Sequence, residues 1–357
     1  MKQHKFEIIL GRIFLVLLLS GLTFVICDRI STKFISSRSS FEQLYLPVKV
    51  TRHPKPYVMF GGTPNVGDFN ALGYRGKQPR VPKPADEYRV FILGGSTVWS
   101  GNPPIAVWLE QTFKKNGYPR VQVYNLGVES SVSGQELARV VFDVPELQPD
   151  LVILYNGGND ISAPLVYDPR PGYPFNFLVY ERNPLLESDV RFYPALTMLA
   201  YGSNILRCLM PSFFERQFVN LKQARKDAGY LTKEWADAIV NQYVHNMLKA
   251  AVLAKAFKAE TVVFFQPLVY FKQPVTSAES VFNPKGRQAY ILEMHQQILG
   301  KMAPYAASGF KFYDLSRIFN GHSETIFRDD IHILDAAGEI VAQAIYERLI
   351  TAVNIPR

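Results

Sequence analysis

The stretch Leu151–Asp160, LVILYNGGND, decides the fold. Five apolar residues run without a polar interruption, Pro149-Asp150 precedes them, and Gly157-Gly158 stops them. A short continuous apolar run between turn signals is the pattern of a strand covered on both faces, the kind found in parallel sheets. Similar runs lie on either side. Arg89–Leu93 (RVFIL) ends in Gly94-Gly95-Ser96-Thr97, and Val121–Leu126 (VQVYNL) ends at Gly127. Thr261–Phe265 (TVVFF) stops at Gln266-Pro267, and Phe312–Leu315 gives a last, short strand. Between them, Ile105–Asn116, Gly134–Val144, Glu234–Lys258 and Asp335–Ile350 carry apolar residues at helical spacing, with Asp335 as N-cap of the last. Strands alternating with helices predict an α/β fold around a parallel sheet.

In such open sheets the ligand site lies beyond the carboxyl ends of the strands. That rule selects Ser96 after the first strand, Asn125 and Gly127 after the second, and Asn159 and Asp160 after the third. A serine nucleophile needs a base, the base needs an orienting acceptor, and the oxyanion needs pre-aimed donors. Of six histidines, His4 precedes an apolar segment, His53 sits in a Pro-rich stretch, His245 and His295 fall in helical stretches, and His322 is in a polar turn. His332 differs, because it follows Asp329-Asp330-Ile331 in a connection before the last helix. A separation of three residues in a turn lets Asp329 reach the imidazole and fix its tautomer, whereas Asp330 is too close in sequence to do so comfortably.

Gly94-Gly95-Ser96, Gly127, the G-x-N-D of Gly157–Asp160 and the D-x-x-H of Asp329–His332 stand in the order and rough spacing of four sequence blocks. In this the chain resembles the SGNH hydrolase superfamily, also called GDSL-like esterases, over about residues 70 to 357. Asn70–Gly76 (NALGYRG) and Phe265-Gln266-Pro267 are similar to members that carry an N-terminal membrane anchor. The resemblance implies a three-layer, flavodoxin-like α/β/α fold with Ser96 as nucleophile, His332 as general base and then acid, and Asp329 as orienting acid. It also implies an oxyanion hole made by the Ser96 amide, the Gly127 amide and the Asn159 side chain. Gly95 departs from the GDSL pattern, which has Asp there, and the run from His332 to Gly338 is one residue longer than usual.

Ile8–Cys27, IILGRIFLVLLLSGLTFVIC, is apolar but for Arg12, and a helix of roughly 20 residues crosses a hydrocarbon core of about 30 Å. Bulky residues before Cys27 argue against both a signal-peptidase site and a lipobox, so an uncleaved anchor is expected. Lys2, Lys5 and Arg12 on one side balance Arg29, Lys33 and Arg38 on the other, so basic residues do not orient it. The expected organisation is a tail at 1–7, an anchor at 8–27, a linker and lead-in at 28–87, and a catalytic domain at 88–357. The domain is expected outside the cytoplasm.

The remaining composition excludes more than it assigns. With 48% hydrophobic and 20% charged residues and only 2 Cys, the chain is neither disordered nor disulfide-stapled. Cys27 and Cys208 are far apart in sequence, and no bond between them is expected. The formal charge of +8 is scattered, with no run longer than Lys114-Lys115, so no nucleic-acid partner is expected. There is no G-x-G-x-x-G opening a helix, no P-loop and no zinc-spaced His or Cys, and Val98 breaks G-x-S-x-G. No cofactor or metal is expected. Ile161–Pro194 reads as a loop-like insertion with Tyr167, Tyr173, Phe175, Phe177, Tyr180 and Phe192, rings that suit sugar faces or acyl chains. Ala195–Phe214 reads as a buried or interfacial helix pair. The expected activity is hydrolysis of O-acyl esters, O-acetyl above all, on a cell-envelope glycan. The alternatives are an O-acetyltransferase on the same fold and a non-catalytic glycan-binding or envelope assembly protein. Oligomeric state is left open.

Overall fold

The computed structural model describes residues 2–34, 50–175, 177–181, 202–210 and 221–357. The chain divides into two compact units, Met1–Leu46 with Asn176–Gln223, and Pro47–Phe175 with Ala224–Arg357.

In the first unit, α1 (Lys2–Ser31) contains Ile8–Ser31, long and apolar enough to cross a membrane, with an 18-residue window of mean hydropathy 2.4 of which none is buried. The helix runs past the expected end at Cys27 to Ser31, and Asp28 in this last part is hydrogen-bonded outside the helix. Asp28 Oδ1 accepts from Ser203 Oγ at 2.7 Å and from the Ile205 amide at 2.8 Å, and Asn204 Nδ2 donates to Ser31 Oγ at 2.9 Å. Ser203 in turn caps the short helix Asn204–Leu209 through the Leu206 amide. Of the helix pair expected over 195–214, residues 202–210 are described and hold this one helix; the rest, like Phe192, lies outside the described residues. Cys27 and Cys208 both belong to this unit and are free thiols.

The second unit is built on five parallel strands, β1 (Tyr88–Gly94), β2 (Val121–Gly127), β3 (Leu151–Asn156), β4 (Glu260–Phe265) and β5 (Phe312–Asp314), in the order β2-β1-β3-β4-β5. All five coincide with the apolar runs, and β3 is buried along its whole length. The helices that frame the sheet and the site are α2 (Ser96–Trp99), α3 (Ile105–Lys115), α4 (Ser133–Phe142), α5 (Gly158–Val166), α6 (Lys233–Ala256), α7 (Lys285–Ala307) and α8 (Ala337–Ala352). The step from β1 to β2 moves one way along the sheet and every later step moves the other way. Right-handed crossovers therefore put α3 on one face and α4, α6 and α7 on the opposite one. The packing agrees, since α8 lies against α3 while α6 lies against both α4 and α7. The result is a three-layer α/β/α sandwich.

The structure departs from expectation at four points. The compact unit starts at Pro47, well before the expected boundary at residue 88, because the lead-in is tied into it. Lys55 pairs with Asp143 at 2.8 Å, Gln135 Nε2 donates to Val58 O at 2.9 Å, and Arg75 of the NALGYRG stretch donates to the carbonyls of Trp99 and Gly101. Conversely, residues 176–223 leave this unit, so 88–357 is not one body. Across that excursion the unit is closed by hydrogen bonds to Leu165 O from Arg225 Nη2 at 3.4 Å and Tyr230 Oη at 2.8 Å. The insertion expected from Ile161 begins as helix, because Ile161–Val166 continues α5 despite Pro164. At α8 the cap position is Ala336, without a side-chain cap, rather than Asp335.

Gly94 ends β1 where the backbone of β3 passes closely, and a Cβ there would lie 2.3 Å from Tyr155 O. Overpacking against a backbone atom typically costs about 1–3 kcal/mol. Gly94→Ala is accordingly expected to lower the urea unfolding midpoint by that equivalent, and an unchanged midpoint would contradict the packing described.

Candidate active site

The carboxyl ends of β1, β2 and β3 bring their turns together as the topology requires. Ser96 opens α2 directly after the Gly94-Gly95 turn and is 8% exposed. His332 arrives from a hairpin, where Phe327 and Ile333 bridge and the Arg328 amide donates to His332 O at 2.9 Å. His332 Nε2 lies 2.7 Å from Ser96 Oγ, and its Nδ1 lies 2.8 Å from Asp329 Oδ2 and 3.0 Å from Oδ1. Asp329 also accepts from the amides of Ile331 (3.0 Å) and His332 (2.6 Å), so its carboxylate is fixed by its own turn. Burial pushes the Asp329 carboxyl up, but hydrogen bonds from His332 and these amides outweigh it and hold the group below its usual range. Asp330 faces elsewhere, accepting from Tyr270 Oη at 3.1 Å and pairing with Arg287 at 3.2 Å.

Asn159 stands in the first turn of α5, and its Nδ2 donates to Ser131 O at 2.7 Å. A Cβ on Gly95 would lie 2.4 Å from Asn159 Nδ2, which places this carboxamide directly against the serine turn. The Ser96 amide, at the first position of α2, donates to no backbone carbonyl among the described residues. Gly127 behaves differently from expectation. Its amide donates to Asn125 Oδ1 at 2.8 Å, and a Cβ there would lie 2.4 Å from Trp99 N. Glycine at 127 therefore seats α2 on the end of β2, while its N–H is committed to a neighbour.

Around these groups lies a layer of support, in which Glu136, Tyr243 and Asn246 carried no signal in the sequence pattern. Asp160 is buried and accepts from the Ser133 amide at 3.0 and 3.3 Å, fixing the start of α4. Burial pushes its carboxyl up to about 6, against hydrogen bonds from Ser133. Glu136, also buried, accepts from Asn156, and burial lifts its carboxyl up to about 8, with Asp160 adding to the rise and Arg139 opposing it. Tyr243 Oη and Asn246 Nδ2 complete the cluster on Asn156 Oδ1 and Ser133 Oγ, each at 2.9 Å. Thr97 Oγ1 donates to Gln266 Oε1 at 3.2 Å, giving the Phe265-Gln266-Pro267 turn a place beside the serine. The aromatics Tyr167 and Phe175 pack edge to face, with Arg52 stacked over Phe175 at 4.2 Å and bonded to Ser130 Oγ at 2.9 Å.

The hairpin carrying Asp329 and His332 is held by a buried ion pair, Lys272 with Glu279 at 2.8 Å. Glu279 Oε1 also accepts from the amides of Ile326 (2.8 Å) and Phe327 (3.0 Å), at the base of that hairpin. Only the short run from Thr276 to Glu279, a capping box, hinted at this in the sequence.

No protein-family model and no curated protein matches the sequence. Solved structures do match it. The chain is similar to a GDSL-like lipase from Bacteroides thetaiotaomicron at 14% identity, over 78% of this chain and 93% of that one, with a TM-score of 0.41. It is similar to an acetyl xylan esterase at 13% identity, over 73% and 99%, with a TM-score of 0.42. A lipase/acylhydrolase from Enterococcus faecalis is similar at 12% identity, over 75% and 98%, with a TM-score of 0.39. At such identities and scores the likenesses carry no functional argument; the reacting groups do.

Burial pushes the Glu279 carboxyl up, but Lys272 and the three amides at Thr276, Ile326 and Phe327 overcome it and bring the group to about 2, from an ordinary 4.5. A carboxyl depressed on folding stabilises the fold above its unfolded value and loses that contribution as pH falls towards its folded one. Acid unfolding is expected to gain slope between about pH 4.5 and 2 from this group. In Glu279→Gln that part of the pH dependence of urea stability should vanish; an unaltered profile would remove Glu279 from the account.

Proposed function

We propose that the chain is a membrane-anchored serine esterase that hydrolyses O-acyl esters, O-acetyl esters above all, on a cell-envelope glycan. The observation that carries the chemistry is the continuous relay from Ser96 Oγ to His332 Nε2 at 2.7 Å and from His332 Nδ1 to Asp329 at 2.8 Å. As Ser96 Oγ attacks the ester carbonyl carbon, His332 Nε2 takes its proton, and the ionised Asp329 stabilises the imidazolium. The oxyanion forms beside the Ser96 amide and the second N–H of Asn159, with Gly127 supporting that edge sterically. Collapse of the tetrahedral adduct breaks the ester C–O bond, His332 protonates the leaving alcohol, and an acyl-Ser96 ester remains. Water, deprotonated by His332, then releases the acid and regenerates the serine.

Anchoring by residues 8–27 is supported by the exposed apolar face of α1. An extracytoplasmic position and a glycan substrate follow from the resemblance to anchored esterases, and the half-buried ring of Tyr167 suits a sugar face.

The full chain in detergent micelles is expected to hydrolyse 4-nitrophenyl acetate. Ser96→Ala and His332→Ala should each lower kcat by more than about a hundredfold, and Asn159→Ala by about 10²–10³. Full activity in either triad variant would remove that residue from the mechanism. Rapid quenching and mass spectrometry should find the acetyl group on the Ser96 peptide. If an added oligosaccharide takes that acetyl in preference to water, the chain is an O-acetyltransferase; if the wild type turns over no ester and Ser96→Ala keeps its cellular role, it is a non-catalytic envelope protein.

A further inference from the structure

The nucleophile turn is one chain segment, and the end of β2 running on into the 128–132 loop is another, yet the oxyanion site needs the turn, the strand end and the loop fixed to within fractions of an ångström. One side chain touches all three. Arg139, in the last turn of α4, is 1% exposed. Its Nη1 donates to Leu126 O at 3.1 Å, and its Nη2 to Gly94 O at 3.4 Å and Ser131 Oγ at 2.9 Å. Gly94 precedes the Gly95-Ser96 turn by one residue, and Leu126 precedes Gly127, on which Trp99 of α2 rests. Ser131 is the residue whose carbonyl receives Asn159 Nδ2.

The ester mechanism above uses no group at this position, and burying a guanidinium is costly. No carboxylate lies within ion-pairing distance of Arg139 among the described residues; its bonds go to two strand-end carbonyls and one hydroxyl. A rigid planar fork with several donors in fixed directions suits such a junction, where a lysine supplies a single flexible point. We propose that Arg139 is a positioning residue for the ester-cleaving site, its guanidinium setting the distance between the Ser96 turn and the Asn159 carboxamide by bridging Gly94, Leu126 and Ser131. This rests on the esterase reading.

The test takes the full chain with Arg139→Ala and Arg139→Lys. A misplacement of about 1 Å costs on the order of a hundredfold in rate. On 4-nitrophenyl acetate, kcat is therefore expected to fall about 10–100-fold while KM changes by less than about threefold. Methylguanidinium in the buffer should restore kcat in Arg139→Ala by at least about fivefold, and lysine in place of arginine should not. Should Arg139→Ala fail to fold, Ser131→Ala keeps the guanidinium and removes one leg of the bridge, with a fall in kcat of about threefold or more expected. Wild-type kcat in folded Arg139→Lys overturns the proposal, as does a fall in Arg139→Ala that methylguanidinium leaves unchanged. Crystal structures of wild type and Arg139→Lys separate this from the esterase reading. A parted Ser131–Asn159 hydrogen bond supports the positioning role even in a protein inert towards esters, and an unmoved 128–132 loop overturns it whatever the activity. An inert wild type overturns the esterase reading alone.

Discussion

The close approach of backbones at the carboxyl end of the sheet is what the rest of the site depends on. Gly94 is in register with Gly127 on one side and Tyr155 on the other. With no Cβ at 94 the β3 backbone can pass, and with none at 127 the backbone of Trp99 can lie on β2. Any side chain at either position would lift α2, and Ser96 at its start, off the strand ends. The catalytic geometry is thus fixed first by excluded volume and only then by hydrogen bonds. Close-packed interiors leave little slack for such a shift.

Above that foundation the molecule uses buried ionisable groups rather than apolar packing alone. Arg139, Glu136 and Asp160 lie beneath one half of the site, and Lys272 with Glu279 beneath the other. Replacing such groups by apolar ones is often neutral for stability, so their place here is better explained by direction than by energy. Apolar contacts are non-directional; a carboxylate holding the amides of Ile326 and Phe327 dictates where a hairpin starts. The two halves converge on Ser96, one through the strand-end turns and one through His332.

Much of this was legible in the residues alone. The five strands were readable because each is a continuous apolar run closed by a turn signal, and the parallel sheet then named the ends where Ser96 and Asn159 belong. The pairing of Asp329 with His332 followed from a three-residue spacing in a turn. What escaped is long-range and polar. Nothing local in Lys55, Val58 or Arg75 announces that their partners are Asp143, Gln135 and Trp99, so the point where the linker becomes a lead-in was not legible. Gly127 was singled out for its amide, as an oxyanion donor, but the direction of that amide depends on Asn125, two residues away and invisible to spacing rules. Pro164 inside α5 masked a helix, since proline ordinarily ends one.

The bonds from Arg225 and Tyr230 to Leu165 have a consequence for the chain as a polymer. They close the larger unit across residues 176–223, so the entropy of closing that span is met by the unit's own folding, and each doubling of its length adds only about 0.6 kcal/mol. Segments tethered in this way can lengthen, shorten or change composition while the sheet and its turns stay as they are. The fold thus sets two kinds of constraint on one polypeptide, excluded volume at the strand-end glycines and chain closure for what is spliced between Phe175 and Ala224.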